Sequence, residues 1–367
     1  MNKTVTILAN DKITEVIAFP SKENTLWIRE EELKAATGFE LKASGACYDP
    51  VNICIPLVEE GFIQMESGSK WLNVSKLCKR LEQACISTAD QTVWSLGVIP
   101  AARKAMLSSA KAPDFEITDI HGTSIRLSDF KGKKVLLVTW ATWCGCRFDV
   151  AKWQTIYEEL NEPNFEIICV AEDAQGEAVA KEWFVNAKAT YTCIVDPTHK
   201  ISTLFGWVNV PTGAWIDEEG FIVRVNEDAY AGIHEMEDPV RQRTFKFGNT
   251  TFPNATKNWV KNGLQDNLKQ TKEKLTANTR SISNTDLLAD ANFKLGLYFQ
   301  HQQAEQLAEN YFKIAQDLAP DNWNIHRQSW TYKGTAYAIQ QWRERTKAKY
   351  LNDRSWTYYE PLDLVSH

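Results

Sequence analysis

Long apolar segments are missing from this chain of 367 residues. It contains no window of about 18 apolar residues, the length that a membrane-spanning helix requires. The N-terminal stretch is interrupted by Asn10 and Asp11, whereas a secretory signal peptide needs a continuous apolar segment. We therefore expect a cytoplasmic protein with no membrane span and no membrane partner.

A basic excess is also absent, because 41 Lys and Arg residues face 47 Asp and Glu residues and the net charge is −6. Proteins that hold phosphate backbones need a positive field, so we expect no nucleic-acid partner. The hydrophobic fraction of 44% and the charged fraction of 24% are typical of a folded globular protein. At the usual size of a domain, the length predicts two or three domains.

Cysteine and histidine are sparse, with eight and six residues. Eight cysteines are too few for a disulfide scaffold in a chain of this size. The histidines show no pairing at metal-ligand spacing, and the N-terminal cysteines are spaced more widely than the ligands of zinc knuckles. We therefore predict no resident metal and no cofactor, and we judge each cysteine by its surroundings.

The sequence divides into three predicted parts. Residues 1–110 mix short apolar strands with helical stretches, of which Glu30–Thr37 and Val74–Ser87 have apolar residues recurring every three or four positions. We interpret this part as a small α+β domain of unknown role. The second part, residues 111–235, begins at a junction with Pro113, because proline disfavours helix in the residue before it. Residues 236–367 form the third part.

Strands and helices alternate in the second part. The predicted strands are Val135–Trp140, Phe165–Val170 and Tyr191–Val195, and the predicted helices are Arg147–Leu160 and Glu177–Ala187. Such alternation predicts an α/β fold with a mainly parallel sheet covered on both faces. Ala214–Ile216 and Phe221–Val225 are separated by a short acidic turn ending in glycine, which predicts an antiparallel hairpin.

The third part begins with a polar connecting segment rich in Asn and Thr and continues in long helices. Asn292–Pro320 resembles one tetratricopeptide repeat, with Gly296 and Ala308 at its small positions and Phe299 and Phe312 at its aromatic positions. Small residues let two antiparallel helices approach, and the aromatic rings fill the gap between them. We expect a short helical region that is a candidate surface for a protein partner.

A Cys-Gly-Cys sequence, Cys144 to Cys146, lies where a predicted strand gives way to a helix. The free N–H groups and positive end of a helix stabilise a thiolate, which raises the population of the nucleophile at neutral pH. Cys144 is therefore the predicted attacking thiol, and Cys146 the resolving thiol that displaces the bound partner. Arg147 is a candidate to steady a thiolate or an anionic substrate, and Trp143 to shape the approach of the substrate.

The stretch from Trp140 to Arg147 resembles the motif Trp-Ala-x-Trp-Cys-x-Pro-Cys-Arg of the TlpA-like redoxins in the thioredoxin superfamily. Ala112–Phe115 and Leu127–Lys133 are similar to other parts of that family, and Val210–Thr212 is similar to its cis-proline loop. The resemblance covers only the central part of the chain. It implies a thioredoxin fold and thiol-disulfide exchange with a protein or small-molecule thiol or disulfide.

The resemblance also implies roles for residues outside the motif. Pro211, preceded by Val210, would face the dithiol and shape the substrate groove. Glu172, which follows the next strand, would lie below Cys146 and help it lose its proton as a general base.

The spacing of the cysteines departs from that family, since Cys-x-Cys replaces Cys-x-x-Cys. A disulfide closed across three residues is strained and easy to reduce, so we expect a more oxidising or isomerase-like site than a thioredoxin reductant. Three alternatives remain open. In the first, Cys144 uses another resolving thiol. In the second, the two thiolates hold a soft ion such as Cu(I) or Hg(II), and the chain is a redox-sensing or metal-binding interaction protein. In the third, the protein is a peroxiredoxin-like peroxidase, although Ala141 stands where that family has Thr.

The remaining six cysteines lie outside the motif. Cys47 and Cys54, in a loop with Gly and Pro, are a candidate second thiol pair that exchanges with Cys144, beside the alternative of unreactive packing. Four others are expected to be buried without a function, namely Cys78 and Cys85 on one stripe of a predicted helix and Cys169 and Cys193 in predicted strands.

Overall fold

A computed structural model of the chain describes residues 3–19, 24–49, 53–238, 243–279 and 282–364. The chain separates into two compact units, one of Met1–Lys104 with Ile282–Pro320 and one of Ala105–Ser281 with Asp321–His367. The division into three parts stays a prediction, but the predicted third part is shared between the two units. Across the ranges given above, no helix has the length and apolar character needed to cross a membrane.

The first unit contains two sheets. Its strands, numbered along the chain, are β1 (Lys3–Ala9), β2 (Lys12–Ala18), β3 (Trp27–Arg29), β4 (Glu40–Lys42), β5 (Gly45–Tyr48), β6 (Ile53–Ile55), β7 (Ile63–Glu66), β8 (Ser69–Asn73), β9 (Cys85–Ser87) and β10 (Val93–Leu96). Seven of them form one sheet in the order β7-β8-β3-β2-β1-β10-β9, and β4, β5 and β6 form the other. Among the described residues of these two sheets, only the β1–β10 pair is parallel. The mixture of sheet and helix agrees with the predicted α+β character.

Helix α1 (Glu30–Thr37) has the predicted bounds. Its apolar residues Leu33 and Ala36 are buried, as their helical spacing requires. The helix ends because Gly38 adopts a φ of 79°, a left-handed conformation that glycine reaches without steric cost.

The predicted helix Val74–Ser87 is wrong in its second half. Helix α2 (Val74–Arg80) begins at Asn73, whose side chain accepts a hydrogen bond from the N–H of Lys76 at 2.8 Å, and the chain turns at Glu82, which has a φ of 56°. Residues from Cys85 then form β9 and pair with β10. The apolar spacing misled the prediction because Cys85, after the turn, packs against the same core as Leu77 and Cys78 of the helix.

Two antiparallel helices, α9 (Asn284–His301) and α10 (Glu305–Leu318), complete the first unit. A Cβ atom on Gly296 would lie 2.4 Å from the ring of Phe312, so the close approach requires glycine there. Leu295 packs with Leu8 and Val93, which attaches the pair to the sheet. The predicted pair of helices is therefore present, whereas its assignment as a tetratricopeptide repeat stays a prediction.

The second unit has nine strands and eight helices within the described residues. The strands are β11 (Glu116–Thr118), β12 (Ser124–Arg126), β13 (Lys134–Trp140), β14 (Phe165–Ala171), β15 (Thr192–Val195), β16 (Thr212–Ile216), β17 (Ile222–Glu227), β18 (Ile233–Asp238) and β19 (Arg243–Gly248). The helices are α3 (Lys104–Ser109), which begins at the last residue of the first unit, α4 (Asp149–Leu160), α5 (Glu177–Asn186), α6 (Lys200–Phe205), α7 (Thr251–Asn262), α8 (Lys272–Asn278), α11 (Trp323–Thr331) and α12 (Thr335–Asn352).

A five-stranded sheet in the order β15-β14-β13-β16-β17 organises this unit. β13, β14 and β15 are parallel, and β16 and β17 are antiparallel to their neighbours. The predicted parallel sheet and the predicted terminal hairpin are both present. Every residue of β14 is buried, as expected for a strand covered on both faces.

The polar connecting segment predicted after residue 235 is wrong. β18 and β19 pair along their whole length, and α7 follows three residues after β19. Helix α7 buries Phe252 and Trp259, and the Trp259 ring stacks on Trp215 of β16 with centroids 4.9 Å apart. The many Asn and Thr residues hid these elements, because two large aromatic residues seven positions apart carry the buried face of the helix.

Candidate active site

The Cys-Gly-Cys motif lies between β13 and α4. A 3-10 turn over Gly145–Phe148 precedes α4, so the regular helix begins two residues after the predicted Arg147. Cys144 occupies the N-cap position of this turn, and its Sγ accepts a hydrogen bond from the N–H of Cys146 at 3.2 Å. An N–H group directed at sulfur favours a thiolate at this position.

Cys144 and Cys146 are joined by a disulfide, with their Cα atoms 5.1 Å apart. Only 2% of the surface of Cys144 and none of Cys146 is exposed. The roles of attacking and resolving thiol stay predictions.

The loop before β16 lies against this pair. The Val210–Pro211 peptide bond is cis, as the resemblance implied, and the Val210 carbonyl oxygen is 3.6 Å from Cys144 Sγ. Thr212 donates its N–H to the hydroxyl of Thr139, which donates to the Thr212 carbonyl, both at 3.2 Å. These two bonds fix the loop to β13 next to the motif.

Glu172 directly follows β14, the position that the resemblance implied, and its role as a general base stays a prediction. It is fully buried, and its carboxylate accepts hydrogen bonds from Ser202 N–H at 3.2 Å and from the Asn324 side chain at 2.9 Å. Burial, followed by the charge of Asp196, raises the pKa of Glu172 to about 8. Among the described residues it does not line the small cavity beside Cys146.

Asp149 is the carboxylate in that cavity. The cavity has no room for a water molecule, and Cys146, Asp149 and Pro211 line it together with Val138, Thr139, Trp140, Val150, Trp153 and Cys169. Asp149 Oδ1 accepts the Ala231 N–H at 2.9 Å and lies 2.7 Å from His234 Nε2. Its Oδ2 is buried with no hydrogen-bond partner in the described part of the chain.

Burial raises the pKa of Asp149 to about 6, although the contact with His234 opposes the rise. A carboxyl group with a pKa of about 6 is mostly ionised at pH 7 and is a stronger base than an ordinary Asp, so it is suited to take up a proton there. The sequence offered one signal for it, an acid three residues after Cys146. No local signal pointed to His234, which lies 85 residues further along the chain.

Trp143 and Arg147 are both half-buried. Trp143 Nε1 donates to Gln328 Oε1 at 3.0 Å, and its role in the approach of the substrate stays a prediction. Arg147 donates to the carbonyl oxygens of Thr142 at 3.2 Å and Cys144 at 3.0 Å. Burial, together with the charge of Arg327, lowers the pKa of Arg147.

The cysteines outside the motif differ in state. Cys47 and Cys54 lie opposite each other in β5 and β6 and form a disulfide. Their exchange with Cys144 stays a prediction. Cys169 and Cys193 are buried in β14 and β15, as expected. Cys78 is buried in α2, and Cys85 is half-buried in β9 rather than in a helix.

A thioredoxin-fold redox unit is thus defined by the sheet, the cis-proline loop and the disulfide at the start of α4. Residues 109–225 match the AhpC/TSA family. The thiol-disulfide oxidoreductase ResA of Bacillus anthracis is 34% identical over 125 residues, which span 34% of this chain and 71% of ResA. ResA of Oceanobacillus iheyensis is 29% identical over 123 residues, 32% of this chain and 64% of that protein.

Solved structures are similar to about a third of the chain. The thioredoxin domain of a thiol-disulfide oxidoreductase from Bacteroides vulgatus is 27% identical, with a TM-score of 0.29 and coverage of 31% of this chain and 84% of that one. The exposed lipoprotein thioredoxin of Streptococcus pneumoniae is 33% identical, with a TM-score of 0.28 and coverage of 31% and 88%.

The chain belongs to the AhpC/TSA family of redoxins, in the group that contains the ResA thiol-disulfide oxidoreductases, and it is an oxidoreductase of that class. The predicted protein partner of the C-terminal helices has no support from these similarities, because the family match ends at residue 225.

Proposed function

We propose that Cys144 and Cys146 carry out thiol-disulfide exchange in this protein. The observation that supports the proposal most directly is the bond between the two sulfurs at the start of α4, beside the Val210–Pro211 loop. A dithiol that closes internally accepts two electrons and releases them again without a cofactor.

In the reducing direction, the Cys144 thiolate attacks one sulfur of a substrate disulfide, and the other substrate sulfur leaves as a thiolate. Cys146 then loses its proton, attacks the Cys144 sulfur of the mixed disulfide and displaces the second substrate thiolate. The substrate gains two electrons and the Cys144–Cys146 disulfide remains. An external dithiol restores the enzyme, and the reverse sequence oxidises a dithiol substrate.

The proton of Cys146 has two candidate acceptors. Asp149 shares a dry cavity with Cys146 and has a carboxylate oxygen without a hydrogen-bond partner among the described residues. Both oxygens of Glu172, the acceptor implied by the resemblance, accept hydrogen bonds from Ser202 and Asn324. The geometry favours Asp149. The variants Glu172→Gln and Asp149→Asn distinguish the two candidate acceptors. Loss of a general base should slow the second exchange step by a factor of about 100 or more, and loss of the other carboxylate should not.

The decisive experiment is mass spectrometry of alkylated cysteines after equilibration across a glutathione redox series. We expect Cys144 and Cys146 to change together between two thiols and one internal disulfide. Cys146→Ser should accumulate a mixed disulfide on Cys144. Cys169→Ser is the matched control, because Cys169 lines the same cavity and should not alter the interconversion.

Three results would contradict the proposal. The two sulfurs stay unlinked throughout the series; Cys169→Ser, rather than Cys146→Ser, traps the mixed disulfide; or the purified protein carries Cu(I) or Hg(II) on the pair. The first two remove the internal dithiol mechanism, and the third supports the metal-binding alternative. The cytoplasmic location stays a prediction, which cell fractionation tests.

A further inference from the structure

Two segments of the second unit cover the dithiol. Phe247 of β19 lies over Gly145, so closely that a Cβ atom at this position would be 2.6 Å from the ring. Helix α11 contacts Trp143 through Arg327 and Gln328. Cys144, whose two chain neighbours make these contacts, has only 2% of its surface exposed.

The backbone groups beside the dithiol are already paired within the chain. The carbonyl oxygen of Trp143 accepts a hydrogen bond from Arg327 at 2.7 Å, and that of Val210 accepts one from the Tyr359 hydroxyl at 3.2 Å. The Val208 carbonyl accepts the N–H of Asn324 at 3.0 Å. An extended protein segment binds an enzyme surface largely through such main-chain groups, and here they are occupied.

The segment from Asn324 to Asp363, which contains most of α11 and Tyr359, is firmly attached to the rest of the unit. Asn324 is buried and donates to Glu172, and Tyr358 donates to the side chain of Asn209 at 3.1 Å. Further along, Asp363 forms an ion pair with the buried Arg224. Displacing the segment would leave several buried polar groups without partners, which is unfavourable. A protein substrate would therefore have to compete with a stable part of the fold.

Two guanidinium groups flank the motif. Arg147 donates to the Cys144 carbonyl, Arg327 donates to the Trp143 carbonyl, and the charge of Arg327 acts on Arg147. Within the described residues neither forms an ion pair with a carboxylate; the nearby Asp173 accepts hydrogen bonds from the N–H and hydroxyl of Thr142. Each guanidinium also lies over an aromatic ring, Arg147 over Phe148 at 4.5 Å and Arg327 over Trp143 at 4.7 Å. Two positive charges that no carboxylate of the described residues neutralises favour an anionic ligand.

We propose that the substrate of this site is a low-molecular-weight disulfide that carries carboxylates, bound by Arg147 and Arg327, and that the cover by α11 and Tyr359 excludes protein disulfides. This inference rests on the proposed function. It assigns Arg327 and Tyr359 to substrate selection, although both lie beyond the part of the chain that matches the family.

The test compares four disulfides with the full-length enzyme and an external dithiol as reductant. Glutathione disulfide is anionic, bis(2-hydroxyethyl) disulfide is neutral, cystamine is cationic, and insulin represents proteins. We expect kcat/KM to be highest for glutathione disulfide, about tenfold or more above the neutral disulfide, since charge-assisted hydrogen bonds bind more strongly than neutral ones. Raising the salt concentration should reduce this ratio, because salt screens partly exposed charges.

Arg327→Gln should lower the ratio of kcat/KM for glutathione disulfide to that for the neutral disulfide by about tenfold, and Arg327→Lys should restore part of it. Tyr359→Phe frees the Val210 carbonyl and should raise insulin reduction relative to glutathione disulfide. Arg354→Gln is the control, because the guanidinium of Arg354 lies over Tyr350 rather than at the motif and should leave both ratios as they are.

Equal kcat/KM for insulin and glutathione disulfide would overturn the inference, as would a ratio of anionic to neutral disulfide that neither salt nor Arg327→Gln changes. Both results leave the proposed dithiol exchange standing. Absence of exchange with all four disulfides, together with no internal disulfide in the redox series, would instead remove the proposed function.

Discussion

Asp149→Asn should slow the second exchange step while making the protein more stable. The substitution keeps an oxygen that can accept the Ala231 N–H, which Asp149 accepts at 2.9 Å. It removes the negative charge and the ability to take a proton from Cys146. If Asp149 only supported the fold, Asp149→Asn would lower stability and leave the exchange rate as it is. If Asp149 accepts the proton of Cys146, the variant is more stable and exchanges more slowly.

The effect on stability follows from the raised pKa. Burial moves the pKa of Asp149 from 3.8 to about 6, so the native state binds the proton more tightly than the unfolded chain does. The penalty for the carboxylate is therefore absent below about pH 4 and complete above about pH 6. Two pKa units correspond to about 3 kcal/mol, an upper limit because Asn also loses the contact of the carboxylate with His234.

Several titratable groups interact with Asp149. They are His234, Lys152, Asp228, Tyr230, Tyr191 and Cys169. The charge of Asp149 contributes to raising the pKa of Asp228 to about 6, so Asp149→Asn lowers the pKa of Asp228 as well. A change in the pH profile between pH 5 and pH 8 is therefore assigned to Asp149 only when Asp228→Asn does not reproduce it.

Single-turnover kinetics provide the assay. Cys144 is first loaded as a mixed disulfide with a chromophoric thiol, and release of that thiol reports attack by Cys146. In the unaltered protein the release rate should rise as pH passes through about 6, and in Asp149→Asn it should be about 100-fold slower or more. Denaturant unfolding at pH 4 and pH 8 measures the stability change.

Asp173→Asn is the matched control. Asp173 is also buried with its pKa raised to about 6, but its carboxylate accepts hydrogen bonds from Thr142 and does not line the cavity. If Asp149→Asn and Asp173→Asn slow thiol release equally, or if Asp149→Asn leaves it unchanged, Asp149 is not the acceptor. A less stable Asp149→Asn protein at pH 8 would refute the stability reasoning.

Three further outcomes concern packing and covalent constraint. Gly145→Ala should lower stability by about 1–3 kcal/mol, because its Cβ atom would contact the Phe247 ring; a thermal midpoint unchanged from that of the unaltered protein would contradict this. Gly296→Ala should destabilise the first unit by a similar amount through Phe312, measured by hydrogen exchange in α9, where unaltered protection would argue against the close approach. Cys54→Ser should lower the free energy of unfolding by about 2–3 kcal/mol, because it opens the small loop closed by the Cys47–Cys54 disulfide. Equal unfolding midpoints with and without reductant would show that this disulfide contributes nothing to stability.

Local patterns account for the correct predictions. The parallel strands and the helices between them have continuous apolar runs and helical spacing, which depend on residues only a few positions apart. The Cys-Gly-Cys motif was found at the correct junction for the same reason, since a strand followed by a helix start is a local signal. Two predictions were wrong, the helix continued through Cys85 and the connecting segment after residue 235. In both places the buried side of the element packs against residues that are distant in the sequence.

The thioredoxin-like sheet of the second unit and the position of the cysteine pair could be read from the sequence, because both follow from residue type and short-range spacing. The surroundings of that pair could not. Asp149 meets His234 across 85 residues, and Arg327 reaches Trp143 across 184. Contacts over such distances arise when packing brings separate elements together, and no periodicity along the chain encodes them.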